Sequence, residues 1–376
     1  MILLFMPYWH DVCSNSNQHT TVQSSQSEAI PHLPAMQATA EHLIEADRWQ
    51  ELRILNGYGG NSMLSHKPRS ITIVEVGPRD GFQNEKQFIP TDKKIEIVNA
   101  LSKTGLKNIQ VTAFVHPKAI PQLADADEVL SKIDRFPGIS YRVLAPNLKG
   151  VQRAIPLKPD KINLMMSVTE SHSLSNANRS IGESFKDFKR IVPEIQNAGI
   201  SVIGGMACAL GCPFEGRVPV QQLEGIVDQY IAIGVKNIGI ADTMGVANPQ
   251  LVYDVVSHLK KKYPEIHWNM HFHNNRDLAL ANTLAAIEAG VTEFDSAIGG
   301  LGGCPYAPNA AGNISTEDMV NMMDEMGIDT GIDLDALLTV AEMIKKAVLH
   351  PLNSAIIKSG KPWILQRAPD RQIKIE

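Results

Sequence analysis

The sequence predicts an α/β protein of the (β/α)8, or TIM, barrel class, and three observations predict it. From Ile71 onward, eight short β-rich runs alternate with longer amphipathic segments. Helix-sized connections between strands are what parallel strands require, whereas antiparallel neighbours are joined by tight turns. The alternation fills about 250 residues, the usual size of one such barrel. An open doubly wound sheet would usually carry G-x-G-x-x-G after its first strand. Here Gly77-Pro78-Arg79-Asp80-Gly81 stands there instead.

The predicted strands are Ile71–Val76, Asn108–Phe114, Tyr141–Ala145, Lys161–Ser167, Ser201–Ala207, Asn237–Ala241, Trp268–His273 and Glu293–Ile298. Between them, Lys93–Thr104 is followed by Gly105, Phe185–Asn197 by Gly199, Leu223–Ile233 by Gly234 and Leu278–Ala289 by Gly290. A glycine just past the last helical turn takes the left-handed cap conformation without steric cost. Asp333–Leu349 reads as a further, C-terminal helical region, and Lys358–Glu376 as a polar end. Three parts follow: an N-terminal extension over 1–68, the barrel over 69–345 and a C-terminal end over 346–376. The extension reads as flexible, because Ser14–Gln26 is rich in Ser, Gln, Asn and Thr and has too little apolar surface to fold.

Composition narrows the function. The chain has 376 residues, 44% hydrophobic and 20% charged, as a globular enzyme does. A net charge of -5 gives no basic field for nucleic acid or anionic lipid. No apolar run approaches the roughly 18 residues of a membrane span. The four cysteines form no disulfide framework. Pro7 interrupts the apolar start, and no Lys or Arg precedes Arg48. That matches neither a secretory signal nor a mitochondrial presequence, so the expected location is the cytoplasm.

Active sites of such barrels lie at the C-terminal ends of the strands. Those ends supply Arg79 and Asp80 after strand one, Gln110 and Thr112 on strand two, Cys208 after strand five and Asp242 and Thr243 after strand six. Strand seven ends in His271-Phe272-His273. Residues i and i+2 of a strand share a face, so both imidazoles can reach one metal ion. With the carboxylate of Asp80, and with Asn313 as a further oxygen donor, they suit a divalent cation. Two histidines that merely pack, and an Asp that merely turns the chain in Asp-Gly, are the plainer alternatives. Arg79 reads either as a surface cation or as a fixed charge facing a developing oxyanion. The loop Gly299–Asn313 carries five glycines and Cys304, and an exposed thiol on a mobile loop is a liability unless it is used. Cys208, with Cys212, reads as a small apolar core residue.

These residues resemble a known family. Val76-Gly-Pro-Arg-Asp-Gly-Phe-Gln-Asn-Glu85, Ala145-Pro-Asn-Leu-Lys-Gly150, Cys208-Ala-Leu-Gly-Cys-Pro-Phe-Glu-Gly216, Ala241-Asp-Thr-Met-Gly-Val246, Gly300-Leu-Gly-Gly-Cys-Pro-Tyr-Ala307 and Gly312-Asn-Ile-Ser-Thr-Glu-Asp318 are similar to motifs of the 3-hydroxy-3-methylglutaryl-CoA lyases. The resemblance covers about residues 71 to 345. It implies a metal-dependent retro-Claisen cleavage of an acyl-CoA to acetyl-CoA and acetoacetate, with Mg2+ or Mn2+ as cofactor and a homodimer as the assembly. Asp80, His271, His273 and Asn313 would bind the cation. Arg79 would stabilise the enolate, Cys304 with His271 would move the proton that ends on the acetyl methyl, and Asp242 would orient substrate. Gln110, Thr112 and Glu317 would stand around them.

The chain departs from the family in two places. Where the family has Glu-x-Thr-Ser-Phe on strand two, this chain has Gln110-Val-Thr-Ala-Phe114. Gln is neither acid nor base, so the lost charge predicts a slower enzyme and a gain in kcat for Gln110→Glu. After the second histidine, where animal members have Asp, stands Asn274. Other readings are a lyase for a related thioester such as citramalyl-CoA, a condensing synthase of the same barrel group, and a metal-binding homologue impaired in catalysis.

Overall fold

The computed structural model describes residues 63–303 and 312–362, all within one compact unit, Gln50–Glu376. Eight parallel strands form a closed barrel in sequence order: β1 Thr72–Glu75, β2 Asn108–Ala113, β3 Ser140–Leu144, β4 Lys161–Ser167, β5 Ser201–Ala207, β6 Asn237–Asp242, β7 His267–Phe272 and β8 Glu293–Ser296, with β8 pairing back onto β1. The eight-stranded barrel read from the sequence is therefore the observed architecture. The strand bounds shift by a few residues at most. Most of the extension expected over 1–68 lies outside the described residues. Its last residues pack on the barrel, with Leu64 buried in the core and Ser65 N donating to Glu288 Oε2 at 2.9 Å.

The expected helices form as α1 Thr91–Leu101, α5 Ile181–Asn197, α6 Val220–Ala232, α8 Ala279–Glu288 and α10 Leu334–Val348. α5 starts at a capping box: Ser180 Oγ accepts from Glu183 N, and Glu183 Oε2 accepts from Ser180 N. Each interaction satisfies an N–H that the helix start leaves unpaired. Helices that the sequence reading did not name are α2 Ala126–Lys132, α3 Leu148–Ala154, α4 Glu170–Ala177, α7 Pro249–Lys262, α9 Thr316–Glu325 and α11 Ala355–Ser359. Most are too short for a 3.6-residue period to emerge. α7 is long enough, and its signals are Asn248 capping Leu251 N, Pro249 in the first turn and the buried stripe Val252, Val255, Val256, Leu259. Its β-branched valines, stiff at χ1, look strand-like in isolation. No helix among the described residues is long and apolar enough to cross a membrane.

Two features set up the mouth. At the opposite, N-terminal pole, the buried Arg142 donates to Glu293 Oε1 at 2.8 Å and to Asn108 Oδ1 at 2.6 Å, tying β3 to β8 and β2 inside the barrel. On β2 a register shift between Gln110 and Thr112 puts Gln110 opposite Arg142 and Thr112 opposite Val143. Such a bulge changes which face the following residues occupy. The regular alternation of faces is therefore interrupted between Gln110 and Thr112.

Candidate functional site

The turn after β1 brings Arg79 and Asp80 into the mouth. Both N–H groups donate to Val76 O, at 3.0 and 2.7 Å, which winds Gly77–Gly81 into a tight helical turn. Gly81 is required there, because a Cβ would lie 2.7 Å from Leu301 Cβ. Asp80 Oδ1 accepts from Arg79 Nη1 and from Gln83 Nε2, and Oδ2 accepts from Asn313 Nδ2 at 2.6 Å. The same Oδ2 stands 3.7 Å from His273 Nε2 and 4.0 Å from His271 Nε2. The two imidazoles lie 5.1 Å apart, centre to centre. One donor atom from each of Asp80, His271 and His273 falls within 4.8 Å of the others, and all three residues are buried.

Orientation and protonation both fit a divalent cation. Asp295 Oδ2 accepts from His271 Nδ1 at 3.1 Å, which places the proton on Nδ1 and leaves Nε2 as a lone-pair donor. His273 Nδ1 is buried without a hydrogen-bond partner among the described residues. Burial first, then His271 and Arg79, push His273 down to about 4, against the pull of Asp80. Burial alone would raise the Asp80 carboxyl, but Arg79, the two histidines and Asn313 outweigh it and hold it below the usual carboxylate range. At neutral pH Asp80 is thus a carboxylate and His273 a neutral imidazole, the ligand forms a metal needs.

The other predicted residues have distinct places. Gln110 Oε1 accepts from Arg79 Nε at 2.5 Å. Thr112 is buried with no side-chain hydrogen bond to any of these groups among the described residues. Asp242 is fully buried at the end of β6, and its two oxygens accept from Val246 N and Ala247 N at 3.0 and 2.9 Å. Burial raises its pKa, and those N–H groups and Arg276 oppose the rise. Asp242 therefore shapes the loop that follows it. Cys208 is buried, in keeping with its apolar reading. Cys304 lies outside the described residues.

Glu317 sits under the start of the Gly-rich loop, at Gly299. It accepts from Gly299 N at 2.9 Å and from Ser315 Oγ at 2.7 Å, and burial pushes it up to about 8. Beside it is Glu75, which the sequence reading passed over. Glu75 Oε1 accepts from Gly77 N at 2.7 Å and Ile298 N at 2.9 Å, and Oε2 accepts from Thr316 Oγ1 at 2.6 Å. Burial raises it to about 7. One carboxyl group thus fastens the Arg79–Asp80 turn, the loop after β8 and the start of α9. Asp295 was missed as well. The available signal was an acid inside each of two short barrel strands, Glu75 in β1 and Asp295 in β8.

A buried carboxylate and two imidazoles that could hold a cation, with a guanidinium beside them, can polarise substrate oxygens and stabilise an oxyanion. Residues 70–344 match the HMGL-like family model. The mouse mitochondrial hydroxymethylglutaryl-CoA lyase is 41% identical over 298 residues, covering 79% of this chain and 92% of that protein. The rat cytoplasmic 3-hydroxy-3-methylglutaryl-CoA lyase is 41% identical over 299 residues, covering 80% and 87%. The structure of an HMG-CoA lyase from Acinetobacter baumannii, in complex with coenzyme A and 3-methylmalate, superposes with a TM-score of 0.77 at 43% identity, covering 80% of this chain and 98% of that one. With the motifs, the closed barrel and these likenesses in agreement, the chain belongs to the HMGL-like family of lyases, alongside the hydroxymethylglutaryl-CoA lyases.

Proposed function

We propose that the protein cleaves 3-hydroxy-3-methylglutaryl-CoA to acetyl-CoA and acetoacetate, using a divalent cation. The observation that carries this reading is the Asp80–His271–His273 triad at the barrel mouth with Arg79 bonded to Asp80. These three residues would hold Mg2+ or Mn2+. Asn313 would join them after an amide rotation that exchanges the N–H2 now on Asp80 for its oxygen. When bound, the ion supplies Lewis acidity that lowers the pKa of the substrate hydroxyl.

The chain's own groups do the rest. As the hydroxyl proton passes to Cys304, the bond between the carbinol carbon and the methylene on the thioester side breaks. Its electron pair passes to the thioester, whose oxygen becomes an enolate facing Arg79. Cys304 delivers that proton to the enolate carbon, which becomes the acetyl methyl, and His271, its ring nitrogens committed to Asp295 and the cation, assists by position. Asp242 orients substrate through the loop backbone at Val246 and Ala247, and Glu317 supports the loop at Gly299. Thr112 is a packing neighbour of this machinery.

A second reading is supported by one finding: the A. baumannii relative holds 3-methylmalate, a shorter hydroxy diacid than hydroxymethylglutarate. A thioester of similar size, such as citramalyl-CoA, is the competing substrate. Acetyl-CoA release from each thioester, measured in a coupled assay, decides between them. A homodimer is part of the proposal and is tested by light scattering. So is a cytoplasmic location, which the rat cytoplasmic relative supports and the mouse mitochondrial one opposes.

A further inference from the structure

We infer that a recess inside the barrel, walled by β3 to β5 and facing the metal triad, receives the alkyl group on the substrate's carbinol carbon, and that Met165 and Gly205 set its depth. The inference rests on the lyase reading above and deepens it. The substrate class widens to 3-hydroxy-3-alkylglutaryl-CoA thioesters whose alkyl group is longer than methyl.

Strand register shows which side chains face inward. Met165 pairs with Gly205, Gly205 with Gly239 and Gly239 with Asn269. Partners in a parallel ladder point to the same side of the sheet. Asn269 donates to Asp295, the partner of His271, so this side is the barrel interior. Alternation adds Asn163, two residues before Met165, and with it Leu144, its register partner on β3. The interior of such a barrel is normally filled by layers of side chains. On the outer face of β4, Ile162, Leu164 and Met166 are indeed buried. Leu144, Asn163 and Met165 are only half-buried, so space remains beside them. Arg142, two residues before Leu144, is buried with Asn108 and Glu293. That group closes the N-terminal side, and the recess opens at the mouth. In the closed strand order β3 lies opposite β7 and β4 opposite β8, so the recess looks across the barrel at His271 and Asp295.

No inward position of β3, β4 or β5 on the mouth side of Arg142 and Lys161 carries a charge. A carboxylate would lose its hydration there without a charged partner, so the recess takes the apolar arm of the carbinol carbon. Asn163 turns its Oδ1 into the wall, where it is buried. The wall can also adapt. A Cβ at Gly205 would stand 2.6 Å from Met165 Sδ and 2.7 Å from its Cε, so the thioether lies over the bare backbone of Gly205. Methionine is unbranched and flexible, and it fills irregular gaps. Folded onto Gly205, it leaves room for a chain longer than a methyl group.

The test uses the full-length, Mg2+-loaded protein and a ratio, kcat/KM for 3-hydroxy-3-propylglutaryl-CoA over kcat/KM for 3-hydroxy-3-methylglutaryl-CoA. The first thioester yields acetyl-CoA and 3-oxohexanoate, so one acetyl-CoA assay serves both. The wild-type ratio should lie above about 0.1, less than the discrimination that a pocket without room for the added methylenes would impose. Gly205→Ala pushes the thioether into the recess, and Met165→Phe fills it with a rigid ring. Each should lower the ratio about 10-fold or more, the usual worth of a methylene in an apolar pocket. Met165→Leu, a swap of similar volume, should hold the ratio within a few-fold. A wild-type ratio below about 0.1, or one that Gly205→Ala and Met165→Phe leave unaltered, overturns the inference. Calorimetric binding of 3-methylglutaryl-CoA and 3-propylglutaryl-CoA, which lack the hydroxyl and are not cleaved, keeps the two readings apart. If neither hydroxy thioester is cleaved but Gly205→Ala weakens the propyl analogue about 10-fold relative to the methyl one, the lyase reading falls and the recess stands. If the methyl thioester is cleaved while the propyl analogue fails to bind, the recess falls and the lyase reading stands.

Discussion

His271 Nδ1 lies 3.1 Å from Asp295 Oδ2, so a carboxylate on β8 sets the tautomer of a metal-ligand candidate on β7. The same carboxylate anchors Asn269, whose Nδ2 donates to Oδ1 at 3.0 Å. Partners of this kind hold the ring and raise its basicity, and their loss typically lowers metal affinity about 10- to 100-fold. Asp295→Ala should weaken Mn2+ binding by that factor in a calorimetric titration. Unaltered affinity would mean that Asp295 serves packing alone.

The triad itself predicts a sharper loss. His273 presents a neutral ring whose Nδ1 is buried without a partner among the described residues. His273→Ala should abolish the rate response to added Mg2+ or Mn2+ and leave the thermal unfolding of the metal-free protein within a few degrees of wild type. A variant that still responds to metal removes His273 from the ligand set.

Cys304 is proposed as a proton-transfer group. A thiol-directed alkylating agent should inactivate the enzyme, a substrate analogue should protect it, and Cys304→Ser should lower kcat about 10²-fold or more. Peptide mapping checks the assignment, because Cys208 and Cys212 are buried thiols outside any disulfide among the described residues. Inactivation that follows labelling of Cys208 would move the role there.

Glu75 and Glu317 give the fold a pH dependence. Burial raises their pKa values from 4.5 to about 7 and about 8. Between the unfolded and folded values the folded chain holds protons that the unfolded chain has released. Their contribution is complete below the unfolded value and is lost as pH rises through 7 and 8. The urea midpoint of the metal-free protein should therefore fall between about pH 5 and pH 9. Gln in place of Glu75 can still accept from Gly77 and Ile298 and can donate to Thr316, so Glu75→Gln should flatten that fall. Equal slopes in wild type and variant would contradict the assignment.

The barrel and the clustering of Asp80, His271 and His273 were both legible in the sequence, for physical reasons. A buried parallel strand is a near-continuous apolar run, and a glycine after a helix marks where it stops, so the eight units separate cleanly. His271 and His273 share a face by the two-residue repeat, and Asp80 follows from strand order around a closed barrel. What escaped depends on contacts between residues distant in sequence. Asp295 and Glu75 look like ordinary strand acids until β7, β8 and α9 come together. The register shift on β2 has no signature in Gln110-Val-Thr, so Thr112 was grouped with Gln110. The orientation of the Gln110 amide is set by Arg79, which the sequence places 31 residues earlier.

The most direct test is the release of acetyl-CoA from 3-hydroxy-3-methylglutaryl-CoA by the purified full chain, before and after chelation and again after adding Mg2+ or Mn2+, with citramalyl-CoA run in parallel. The account predicts turnover that disappears with the chelator, returns with the metal, and has a higher kcat/KM for 3-hydroxy-3-methylglutaryl-CoA than for citramalyl-CoA. An undiminished rate in protein shown by elemental analysis to be metal-free, or no acetyl-CoA from 3-hydroxy-3-methylglutaryl-CoA in metal-replete protein, would contradict it.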